Sequence, residues 1–162
     1  MTEFKGTAEG ESPLMTSYLA GISCVHYRWQ ADEHWTRIVH ETVTDSKGHT
    51  TTRTRTESGW TKIAGGGKAV PFFLKDTTGV IRVVPEGADI DGIKSFEKTC
   101  GPGDPLYFGK APVHEIASIG HRRRFHETAI PLHAVLYVVG QAHERQDMVA
   151  RRLPWTRAHR CS

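Results

Sequence analysis

Residues 70–88, VPFFLKDTTGVIRVVPEGA, restrict what this chain can fold into more than any other stretch. Val70, Phe72 and Leu74 alternate with Pro71, Phe73 and Lys75, the two-residue period of a strand. Residues 76–79 supply turn chemistry, with Asp76 opening the loop and Gly79 expected in the left-handed conformation that a Cβ resists. Residues 80–84 resume a β-branched run. Pro85 and Gly87 then stop it, because proline cannot donate to a strand ladder. The stretch predicts a hairpin and a closing turn, and it holds no nucleophile, base or metal cluster.

The same loop device recurs at Asp45 to Gly48, so a second hairpin is expected there. On its near side, residues 22–30 (ISCVHYRWQ) and 34–44 read as two strands. On its far side, residues 49–57 alternate Thr with Arg, as an exposed strand whose charges discourage edge-to-edge association does. Trp60 and Ile63 return toward a core. Gly65, Gly66 and Gly67 lack the Gly-Lys-Ser/Thr of a phosphate loop and read as a flexible connector. Residues 88–100 carry Ile90, Ile93 and Phe96 at helix-like spacing and read as a short helix or a loose turn, and residues 111–120 could form a further short helix. Residues 124–141 read as two strands bent at Pro131 and closed by Gly140.

The expected fold is therefore mainly β: a compact β-barrel or sandwich-like sheet built from hairpins, with one or two short helices. Residues 1–12, polar and Gly-rich, are expected as a flexible lead-in, residues 13–149 as one β domain, and residues 150–162 as a basic, disordered tail. A chain of 162 residues can bury a core without metal or disulfide help. No run approaches the roughly 18 apolar residues that cross a bilayer. Cys24, Cys100 and Cys161 form no CxxC pair, so the ligand count excludes a RING-type zinc site.

Chemistry has few candidates. His114, His121, His126, His133 and His143 match no metal signature by spacing, which leaves a site built from them and Cys100 as a minor reading. Ser58 and Ser118 lack a nucleophile elbow, and Asp89 and Asp91 stand two residues apart, a spacing that a helix does not juxtapose. Asp45, Gly48, Asp76, Gly79, Pro85 and Gly87 are assigned to turns. The strongest charge feature is His121, Arg122, Arg123 and Arg124, whose guanidinium forks suit phosphate or carboxylate. It reads either as a solvated turn or as an anion- or partner-binding segment. The net charge of +3 and aromatics embedded in apolar strand patterns argue against nucleic acid.

Three segments in order, CVHYRW at 24–29, VPFFLKDTTGVIRVVPEGA at 70–88 and RFHETAIPLHAVLYVVGQA at 124–142, resemble the GIDE, or beside-a-membrane, domain. The chain is similar to bacterial-type members without a RING, which are related to the mitochondrial ubiquitin ligase activator. The resemblance implies a mainly β domain held near a membrane by flanking segments. It also implies a noncatalytic role in binding a protein partner or an anionic membrane surface, with no cofactor. As an alternative, it implies the substrate-recognition part of an E3 ubiquitin ligase-like system whose RING is supplied elsewhere.

Overall fold

The computed structural model describes residues 1–109 and 122–143. Its elements run β1 (Thr2–Gly10), β2 (Met15–Thr16), β3 (Ser23–Thr44), β4 (Thr50–Ala69), β5 (Phe72–Lys75), β6 (Val80–Val83), β7 (Ile93–Cys100), the short helix α1 (Pro105–Gly109), β8 (Arg123–Pro131) and β9 (Val135–Gly140). Two antiparallel sheets form, one in the order β6-β5-β1-β9 and one in the order β2-β3-β8-β7 with β4 also paired to β3. The mainly β class and the hairpin construction expected from the sequence are what the chain adopts.

Both turns are built by aspartate. Asp45 Oδ1 accepts the amides of Lys47 and His49 at 2.8 Å, and Gly48 sits at φ 82°. Asp76 Oδ1 accepts the amides of Thr78 at 2.7 Å and Gly79 at 2.9 Å. Gly79, however, does not take the left-handed conformation expected of it; in this part of the chain Gly87 does, at φ 72°, where the Ala88 amide closes the turn on the Pro85 carbonyl. The DTTG loop is held by the carboxylate of Asp76 without a positive φ at Gly79.

Three other expectations are corrected. The supposed lead-in is β1, a central strand paired with β5 on one side and β9 on the other. Its inward positions include Gly6 and Ala8, both buried, so no apolar alternation marks it. A Cβ at Gly6 would stand 2.6 Å from the Lys75 carbonyl oxygen. The supposed flexible connector lies inside β4, where Gly66 faces Trp29 and Gly67 faces Arg28. Cβ atoms there would come within 3.2 Å of the Trp29 indole nitrogen and 2.6 Å of the Tyr27 carbonyl oxygen, so these glycines make room for the neighbouring strand. The helix expected in residues 88–100 is β7. A bulge between Lys94 and Phe96 lets Ile93 and Phe96 pair with Ala129 and Glu127, alternate residues of one β8 face. One extra residue in a strand thus mimics helical spacing. The helix expected at 111–120 and the tail at 150–162 lie outside the described residues.

Two apolar clusters hold the sheets. Ala8, Val25, Phe72 and Ile130 pack where the sheets face each other, and Ala31, Cys100, Tyr107 and Phe125 pack where α1 covers the second sheet. On β8, Arg123, Phe125, Glu127 and Ala129 are all fully buried at 0% exposure. Alternation on this strand therefore turns two charged side chains inward. Glu127 takes amides from Leu19 at 2.6 Å and Ala20 at 3.3 Å and the Ser95 hydroxyl at 2.7 Å. Burial pushes its carboxyl up, but these donors and Ser17 outweigh burial, so its pKa lies below the ordinary value.

Replacing Glu127 by Gln keeps the shape and weakens these bonds, so E127Q is expected to lose about 2–3 kcal/mol at neutral pH in denaturant unfolding. A depressed folded-state pKa gives stability that is fully present above the unfolded value of about 4.3 and lost as pH falls through the folded value. The gap between wild type and E127Q should accordingly shrink on acidification. A gap independent of pH would refute the assignment.

Candidate functional site

The basic segment singled out in the sequence is divided by strand alternation. Arg122 is exposed. Arg123 points into the protein, where its Nη1 donates to the Tyr107 carbonyl at 2.7 Å, its guanidinium lies 4.4 Å over the Tyr107 ring, and its Nε stands 3.8 Å from Glu33. Arg124 points to the opposite face, donating to Asp32 at 3.0 Å and lying 4.5 Å over the Trp60 ring. His121 lies outside the described residues. The expectation of one exposed basic stretch is thus corrected at Arg123, whose side chain is 0% exposed.

The acids that receive these arginines, Asp32 and Glu33, join what the sequence presented as two strands. β3 is continuous, and Asp32 and Glu33 face Arg124 and Arg123 across it. The readable signal is two adjacent acids and two adjacent bases in strands that pair antiparallel. Burial and then Glu33 push the Tyr107 phenol up, so it keeps its proton, and its hydroxyl donates a hydrogen bond to Glu33 at 3.3 Å.

Beyond this charged node, β3 and β4 leave the sheet as a two-stranded ribbon of eleven residue pairs, His34 with Trp60 to Thr44 with Thr50. That is about 35 Å of hairpin. One face is laced by ion pairs: Arg37 with Glu57 at 2.7 Å, and Arg55 with Glu41 at 2.5 Å and Glu57 at 2.7 Å. The other face carries no formal charge beyond histidine; it presents Thr36, Ile38, Thr42, Thr54 and Thr56, with Ile38 66% exposed. Arg53 and Arg55, read from the sequence as a solvated strand face, belong to the ion-paired side.

Between the sheets opens a cleft of about 1380 Å³. Phe4, Leu136 and Val138 line it from β1 and β9, Phe72 and Ile81 from β5 and β6, and Val25 and Ile130 from the second sheet. β6 and β9 are the outer strands of one sheet, so a sheet that brings both to one cleft is curled. Asp89, Asp91, His26 and His143 stand among the lining. Burial and then Arg28 push His26 down, favouring the neutral ring. The cleft is not legible in the sequence, because its walls come from strands distant in the chain whose apolar residues read as ordinary core.

Other reactive groups are occupied structurally or kept apart. Burial pushes the Cys24 and Cys100 thiols up, the opposite of what an attacking thiolate needs. His133, in the turn between β8 and β9, lies 2.9 Å from Glu9 on β1, and His126 lies 3.9 Å from Asp32 in the second sheet. Among the described residues no three metal-binding side chains converge.

In comparisons with known proteins, the family model GIDE, described as an E3 ubiquitin ligase, matches residues 40–154. No curated protein and no solved structure matches.

The two arginines separate by experiment. Arg123→Ala leaves Glu33 buried without its ion-pair partner and is expected to cost about 3–5 kcal/mol in chemical unfolding. Arg122→Ala should stay within about 0.5 kcal/mol of wild type. Equal effects would contradict the inward placement of Arg123.

Proposed function

The chain belongs to the GIDE family, and from that premise we propose that it is a noncatalytic, membrane-adjacent recognition domain that seats an apolar segment of a protein partner in the cleft between its sheets. One observation carries the reading: an open cleft of about 1380 Å³ is walled by apolar side chains of both sheets. Ionisable groups outside the cleft support it, because Glu127, Glu33, Arg123 and Arg124 are bonded within the second sheet and the segments packed on it. Placement beside a membrane comes from the family resemblance. Among the described residues no helix is long and apolar enough to cross a bilayer, so segments flanking the domain would hold it there.

A protein partner is favoured over an anionic headgroup by the fate of the basic segment. Arg123 is buried and Arg124 is engaged with Asp32, which leaves Arg122 alone of the three as an unshielded fork. The description of the matched family favours a second reading, in which this domain recognises substrate for a ubiquitin ligase whose RING lies on another polypeptide. The buried thiols Cys24 and Cys100 suit no thioester relay, and in this reading transfer chemistry belongs to the partner.

The cleft is tested with a solvatochromic apolar dye such as anilinonaphthalene sulfonate. The folded chain should enhance its fluorescence, and Ile81→Glu, at a half-open position of the cleft wall, should abolish most of the enhancement while leaving the circular dichroism spectrum unchanged. Equal enhancement in both proteins would defeat the cleft as a binding site. In a reconstituted ubiquitination reaction the chain alone is expected to support no transfer. Autonomous transfer would overturn the noncatalytic reading.

A further inference from the structure

The open edges of the two sheets are not alike. β2 is two residues long; β6 carries Arg82, paired with Glu11, and is followed by Pro85; β7 carries Lys94 and Lys98 and is bulged. The outer edge of β4 is studded with Arg53, Arg55, Lys62 and Lys68. Each is a recognised way of preventing one edge from pairing with another. β9, VLYVVG, has none of them: it holds no charge, no proline and no bulge in its pairing with β1, and among the described residues β1 is its sole strand partner.

β9 is also apolar on both faces. Leu136 and Val138 are half-buried, while Val135, Tyr137 and Val139 are 61%, 65% and 61% exposed, with Tyr137 and Val139 also bordering the cleft. A strand without charge, proline or bulge, apolar on both faces, lacks the devices that keep an edge from pairing. We propose that β9 is a self-association edge, through which two copies of this chain pair antiparallel about a two-fold axis at Tyr137 and join their four-stranded sheets into one.

The register follows from the residues. With Tyr137 facing its own copy, Val135 faces Val139 and Leu136 faces Val138, so every contact is apolar and reciprocal, as an isologous interface requires. This self-complementarity is what singles out a second copy as the occupant. Each copy brings one Lys5 cation from β1 beside its own Tyr137, 5.1 Å from the ring, a like-charge repulsion that salt screens.

Sedimentation of the full chain between about 5 and 200 µM should show a monomer–dimer equilibrium, and Tyr137→Lys, which sets like charges opposite each other, should weaken it by at least about tenfold, with an unchanged melting temperature at a concentration where both proteins are monomeric. In a Cys161→Ser background, Tyr137→Cys should form a disulfide-linked dimer under mild oxidation, because directly opposed residues bring their Cα atoms to about 4.5–5.5 Å. Val80→Cys, on the opposite outer strand and 55% exposed, should not. Wild type remaining monomeric throughout, or equal crosslinking of the two cysteine variants, would overturn the proposal. So would slow hydrogen exchange of the β9 amides in a monomer, which would mean that another part of the same chain covers the edge.

Discussion

The pair Arg123 and Glu33, closed off by Tyr107, is the interaction on which the second sheet depends. Both side chains are within 1% of complete burial, and they sit in the same row across β3 and β8. A slip of one residue in that pairing would turn Arg123 and Glu127 outward and bury Arg124 and His126 instead. Apolar residues tolerate some error in register; a buried guanidinium that must meet one carboxyl does not. The pair therefore contributes uniqueness of register more than net stability, since desolvation of two ions offsets much of their attraction.

From that register the outlying features follow. Glu33 with Arg123 is the last β3–β8 residue pair, and among the described residues the remaining length of β3 pairs with β4 alone, as the ribbon. An isolated two-stranded ribbon is marginal in water. Here one face is tied by Arg37, Arg55, Glu41 and Glu57, and Trp35 lies against Gly59 where a Cβ would come within 2.7 Å of its ring. At the other end of the sheet, the bulge near Cys24 and the bend after Pro131 carry the chain into the facing sheet, whose curl leaves the cleft. Architecture and candidate site thus have a common origin in strand pairing.

Much of the fold was legible in the sequence where local chemistry decides it. Asp45 and Asp76 announce their turns because a carboxylate two residues before an amide can bond to it whatever surrounds it. β3, β5, β6, β8 and β9 were visible as β-branched and aromatic runs. β1 was not, because a central strand that must admit the Lys75 carbonyl places Gly6 where a pattern search looks for Val or Ile. β7 was misread because the Lys94–Phe96 bulge changes the period from two to three. The basic segment was visible as charge, but its direction was not: alternation sends Arg123 inward only once β8 has its neighbours.

The sequence by itself determined the mainly β class, the hairpin turns and the family, since these rest on residue types acting within a few positions of one another. Tertiary structure alone decided that Arg123 and Glu127 are interior, that Gly65, Gly66 and Gly67 belong to a strand, that β9 pairs with β1 alone among the described residues and that a cleft lies between the sheets. Each of these depends on which strands become neighbours. That choice is made by contacts such as Glu33 with Arg123, ninety positions apart, whose cost of burial is recovered only when both partners arrive together.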